Sequence, residues 1–166
     1  MVYHIYGNLN NNTIEDFVEF LNNIDNTKPL IVYLNSGGGY CWVKEQLQHI
    51  IESYEGYITL VASHIIGSSA FDLFFSSKVD KEILPDTCGM SHQMTWSVDM
   101  NTSLQPSDAY ESFKIKSLKD SNSIESINQL VNFNKTELKD IKAGKDLWIS
   151  YKRLLQMLQY NKKALK

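Results

Sequence analysis

The chain has 166 residues, 43% hydrophobic and 21% charged, with a formal net charge of −3. This composition suits an ordinary globular protein of one domain with a sizeable core, and the weak negative charge gives no electrostatic reason to expect nucleic acid as a partner. No apolar run reaches the roughly eighteen residues of a membrane span. The opening MVYHIYGNLNNN lacks the basic-then-hydrophobic layout of a secretory signal, so a cytoplasmic protein with no membrane partner is expected.

In chain order, VYHIYG reads as a short strand, and TIEDFVEFLNNI as a helix through Ile14, Phe17, Val18 and Leu21, with Thr13 as its cap and Asp16 three positions on. PLIVYLN is a continuous β-rich apolar run, expected of a strand covered on both faces and ending at SGGGY. WVKEQLQHIIESY returns to helical spacing through Val43, Leu47, Ile50 and Ile51, and YITLVAS is a second buried strand. IIGSSAFDLFF then turns into an apolar helix, and ILPDTCGMSHQMTW supplies one or two short strands ending near His92. Residues 103–139 are polar and helical in pattern, with Tyr110, Phe113, Ile115, Leu118, Ile124, Ile127, Leu130 and Val131 as sparse apolar points; they read as an arm projecting from a head of residues 1–102 and 140–166. The tail DLWISYKRLLQMLQY is a last amphipathic helix beginning at Ser150. Strand, helix, strand, glycine turn, helix, strand implies right-handed βαβ crossovers and a largely parallel α/β sheet.

In such a sheet, sites form beyond the carboxyl ends of the strands, where both glycine turns fall. The NSGGG turn lets backbone N–H groups approach a ligand without Cβ interference, which suits an oxyanion hole or an extended peptide cleft. It lacks the GxxxxGK[ST] and GxGxxG patterns of nucleotide sites. At IIGSSAF a serine in the first helical turn gains positive potential from free N–H groups, although Ser-Ser at a helix start also serves as a simple cap. His92, in MSHQM, follows an apolar strand with no acidic or cysteine cluster to suggest a metal. His4, His49 and His64 read as structural, and Cys41 and Cys88, which form no CxxC pair, as buried free thiols. Asp146, in AGKDLWIS, is the best-placed carboxylate to orient an imidazole base. Frequent Asn, Lys and Ile hint at an AT-rich coding genome, such as a phage's or a Gram-positive bacterium's.

In this order the stretches resemble the ClpP peptidase family of the ClpP/crotonase superfamily. LIVYLNSGGGY is similar to the family's strand and NSPGG segment with Gly37 in place of proline, SHIIGSSAFDLFF to GQAASMGAFLL, ILPDTCGMSHQM to LPNSRVMIHQP through Leu84-Pro85, Met90, His92 and Gln93, and KDLWIS to RDRFLS. The resemblance covers most of residues 3–155. It implies an α/β fold of repeated β-β-α and βαβ units with a projecting helical arm, and a serine peptidase needing no metal or cofactor. Ser68 is then the nucleophile, His92 the general base and Asp146 the residue fixing its tautomer, with the Gly38 and Ser69 N–H groups as oxyanion hole. It further implies peptide or protein substrates and a homo-oligomer, with stacked rings and an unfoldase ATPase as family partners.

Two registers are open. An ungapped alignment through Ala70-Phe71 to His92 puts Gly67 at the nucleophile position; a one-residue deletion in SSKVD puts Ser68 there. The chain also opens almost at its first strand, Ser63 replaces the glycine that begins GQAAS, and RLLQMLQYNKKALK replaces the ending EAxxYGLxD. Gly67, Ser63 and the changed ending suit an alternative, a catalytically inactive ClpP-like protein retained as an assembly or interaction subunit. A crotonase-type acyl-CoA enzyme, binding a thioester enolate through two N–H groups, is a third reading.

Overall fold

The computed structural model describes residues 1–93 and 122–165. Strands β1 (Val2–Leu9), β2 (Leu30–Gly39), β3 (Ile58–Gly67), β4 (Asp80–Ile83), β5 (Cys88–Ser91) and β6 (Leu147–Ile149) form one sheet in the order β1-β2-β3-β5-β6, with β4 also on β3. Helices α1 (Asn11–Asn22), α2 (Cys41–Glu52) and α3 (Ser69–Ser76) each connect parallel strands; α4 (122–131), α5 (Lys135–Lys142) and α6 (Tyr151–Ala164) follow later in the chain. All strand pairs are parallel except β5 with β6. The expected parallel α/β arrangement is the one found.

Strand β3 is long enough to serve two neighbours. Its first half, Thr59–Ala62, pairs with β4, and its end, Ile65–Gly67, pairs with β5. The core lies between this sheet and its helices: Val32, Leu34 and Leu60 from the strands meet Phe71, Phe74 and Phe75 of α3 and Leu154 and Met157 of α6, all essentially free of solvent. Ile124, Ile127 and Val131 of α4, three of the apolar points read in the expected arm, are buried in the same core; residues 103–121 of that stretch, with Tyr110, Phe113, Ile115 and Leu118, lie outside the described residues.

Three local expectations are corrected. The NSGGG segment does not end β2: Gly38 and Gly39 pair with Asn8 and Leu9 of β1, and a Cβ on Gly39 would lie 2.2 Å from the Leu9 carbonyl oxygen, so the strand passes where a side chain could not. The cap of α1 is Asn10, whose Oδ1 accepts the Thr13 N–H while Thr13 Oγ1 accepts the Asn10 N–H; Thr13 is the partner in a capping box, not the cap. Cys41 and Cys88 form no disulfide but are only half-buried. Ser150 does cap α6, accepting from the Arg153 N–H. No helix among the described residues is long and apolar enough to cross a membrane.

Candidate active site

Strand β3 ends at Gly67, and the chain turns abruptly into α3 through Ser68, whose φ of 51° and ψ of −126° are strained for a residue with a Cβ. The turn is held by the Ser68 N–H, which donates to the Met90 carbonyl of β5 at 2.8 Å. Ser68 stands at the N-cap of α3 but makes no capping hydrogen bond. Its Oγ instead lies 2.8 Å from His92 Nε2. A cap would have spent the hydroxyl on the helix; this geometry leaves it for the imidazole.

The two registers left open by the sequence are separated here. Gly67 pairs with Met90 inside the sheet, and a Cβ at Gly67 would lie 2.9 Å from the Gly37 carbonyl oxygen, so that position has no room for a side chain. Ser69 is buried, and its hydroxyl donates to the Gly39 carbonyl at 3.1 Å. Of the three candidate positions, only 68 presents a hydroxyl to a histidine.

His92 follows β5 directly, and Asp146 directly precedes β6. Antiparallel pairing of Ser91 with Leu147 and Met90 with Trp148 therefore brings residues 92 and 146 side by side, although 54 positions separate them in the chain. His92 Nδ1 is 3.5 Å from Asp146 Oδ1, with the His92 side chain 19% exposed and that of Asp146 60% exposed. The carboxylate is close enough to favour the tautomer with the proton on Nδ1, and water shares its charge.

The expected oxyanion donors differ from each other. The Ser69 N–H opens α3 and has no partner within the helix. The Gly38 N–H, the other donor expected from the sequence, donates to Ser36 Oγ at 3.1 Å, so its proton is engaged by a buried hydroxyl. Gly38 is nonetheless pressed against the turn, since a Cβ there would lie 2.7 Å from both Ser68 Cβ and the Gly67 carbonyl oxygen, at a φ of +109°.

A small hollow adjoins His92, lined also by Asp72, Ser91, Ile124, Ile127 and Phe133. Burial pushes the Asp72 carboxyl up to about 6, against a lowering by Lys44 of α2. The sequence reading passed over Asp72; its position one helical turn after Ser68 was the available signal. A separate cavity of about 560 Å³ touches none of Ser68, His92 or Asp146; Lys81 and Asn161 line it. Of the other histidines, His4 stacks on Tyr6 and Tyr33, and His49 and His64 are exposed on α2 and β3. Among the described residues no group of three or more His, Cys, Asp or Glu could hold a metal ion.

No family model matches the chain, and no curated protein is significantly similar to it in sequence. Among solved structures it is similar to a point mutant of ClpP1 from Listeria monocytogenes, at 20% sequence identity and a TM-score of 0.67, over 99% of this chain and 94% of that one. The fold is ClpP-like.

Proposed function

We propose that the protein is a serine peptidase with Ser68 as nucleophile, His92 as general base and Asp146 as its orienting carboxylate. The observation that carries the reading is the 2.8 Å contact between Ser68 Oγ and His92 Nε2 at a strained strand-to-helix turn. His92 takes the Ser68 proton as Oγ attacks the peptide carbonyl carbon, then delivers it to the leaving amine; water, deprotonated by the same imidazole, hydrolyses the acyl-enzyme. The Ser69 N–H faces the developing oxyanion, and the Gly38 N–H joins it by exchanging Ser36 Oγ for the substrate oxygen. Substrates are peptides or unfolded proteins in the cytoplasm, within a homo-oligomer built of ClpP-like single-domain subunits. Stacked rings and docking to an unfoldase ATPase belong to the same proposal.

A second reading, an inert assembly or interaction subunit, is favoured by the engaged Gly38 N–H and by the 3.5 Å separation of His92 and Asp146. Turnover decides between them. Fluorogenic peptides and labelled casein are hydrolysed by the wild-type oligomer and by Ser69→Ala, and not by Ser68→Ala, if Ser68 is the nucleophile; no hydrolysis by an assembled wild-type oligomer supports the inert subunit. Sedimentation that finds only monomer at high concentration removes the oligomer from the proposal.

A further inference from the structure

The cavity of about 560 Å³ lies at the opposite end of the sheet from Ser68, between the end of α2, the starts of β3 and β4 and the end of α6. Ile58 opens β3 and Gly67 closes it, so at about 3.3 Å per residue the cavity stands roughly 30 Å from the serine. Its volume falls in the range of about 300–1,000 Å³ typical of small-molecule sites. One part of the wall is apolar, formed by Ile51, Ile58, Val79, Leu165 and the rings of Tyr54 and Tyr57. The other part is charged, with the ammoniums of Lys78, Lys81 and Lys162 against the carboxylates of Glu52 and Asp80, one positive charge in excess.

Lys81 is the buried member of that set, only 4% exposed. Its Nζ donates to Asn161 Oδ1 at 3.0 Å, and among the described residues no carboxylate comes within 4 Å of it. Asn161 is itself fixed, since its amide nitrogen donates to the Phe75 and Leu130 carbonyls and so turns its oxygen to Lys81. One ammonium proton is therefore engaged and two are left for a ligand. The carboxylates are occupied elsewhere: Glu52 Oε1 accepts from Gln48 Nε2 and from the Lys78 backbone N–H, and Asp80 Oδ2 from the Tyr57 hydroxyl.

A buried ammonium without a counter-ion is costly, and an anion that enters the cavity relieves the cost. The single excess charge suits a monoanion. A bare anion would leave the apolar wall against water, whereas one with an apolar body covers it too. We propose that this cavity is a binding site for a monocarboxylate with an apolar body of about eight carbons, its carboxylate accepting from Lys81 Nζ and its chain lying on Ile51, Ile58, Val79 and Leu165. The site is separate from Ser68 and stands whether or not that serine is a nucleophile.

The test is calorimetric titration of the wild-type chain with octanoate, with octanol, which keeps the body and lacks the charge, and with acetate, which keeps the head and lacks the body. Octanoate binds saturably at pH 7, at least about tenfold more tightly than either. In Lys81→Met, which retains an apolar stem without the charge, octanoate falls to the affinity of octanol. Octanoate that does not saturate, octanol or acetate that equals it, or a Lys81→Met protein that binds octanoate unchanged overturns the proposal.

A second readout needs no variant. Burial lowers the Lys81 amine to about 8, Glu52 and Asp80 raise it, and Lys162 lowers it further; Lys78, Tyr54 and Tyr57 are the other titratable groups on the wall. A bound carboxylate favours the charged amine, so binding above pH 8 takes up protons, and wild-type affinity for octanoate at pH 9 is about tenfold below that at pH 7. Equal affinities at the two pH values overturn the proposal even if Lys81→Met does not fold.

Discussion

Replacing Gly38 by alanine tests how tightly the glycine strand supports the turn at Ser68. The new Cβ meets Ser68 Cβ and the Gly67 carbonyl oxygen at 2.7 Å, and an ordinary contact begins at 3.4 Å, so one partner has to move by about 0.7 Å. The Gly67 oxygen is backbone inside the β3 pairing, so Ser68 takes the displacement and leaves its 2.8 Å position on His92. A misplacement of about 1 Å costs a reacting group roughly 10²-fold in rate, which puts the expected loss at about 10- to 100-fold. The φ of +109° adds backbone strain of about 1–3 kcal/mol to the folded state. Gly37→Ala is the control: its Cβ meets nothing within 4 Å, and its stability changes by no more than about 1 kcal/mol. The assays are the second-order rate of inactivation by a fluorophosphonate and the midpoint of urea unfolding. A Gly38→Ala protein matching wild type in both, or a Gly37→Ala protein equally damaged, would refute this packing.

His92→Ala should abolish fluorophosphonate labelling, whereas Asp146→Asn should slow it less, because the Asp146 carboxylate is 60% exposed and 3.5 Å from Nδ1; equal losses in the inactivation rates would mean a tighter coupling than the geometry gives. Burial lowers the Lys81 amine from 10.5 to about 8, partly offset by Glu52 and Asp80. Between about pH 8 and 10.5 the unfolded chain therefore binds more protons, unfolding free energy from this group rises with pH, and chemical denaturation of Lys81→Met should lack that rise. Burial raises the Glu137 carboxyl, but hydrogen bonds from Arg153 and Asn134 outweigh it and hold the group below its ordinary 4.5. Its contribution is thus present above pH 4.5 and is lost as pH falls through the lower folded value, and Arg153→Ala should remove this acid sensitivity while lowering stability by about 2 kcal/mol in urea titrations.

The elements that carried a strong period were legible: α2 and α6 fall where their apolar spacing puts them, and β2 and β3 begin where theirs does but run on to Gly39 and Gly67. Strands β4 and β6 were not, since four and three residues are too short for a period to emerge from their flanking loops. That omission matters for the site, because β6 is the element that brings Asp146 beside His92; a sequence motif can nominate both residues but contains no pairing register. The choice among Gly67, Ser68 and Ser69 was likewise beyond reach of the sequence. It depends on which residue leaves the β3–β5 ladder first, and that is set by the Ser68 N–H bond to Met90 and by the lack of space at Gly67. Donation of the Gly38 N–H to Ser36 Oγ is a contact between near neighbours that only the bulged course of β2 creates.

The central claim is that His92 activates the Ser68 hydroxyl. Intact-mass analysis and peptide mapping after fluorophosphonate treatment of the assembled protein test it most directly. One adduct per chain on Ser68, absent from His92→Ala and from heat-unfolded protein, is the predicted result. An unmodified Ser68 in a folded, assembled protein would contradict it.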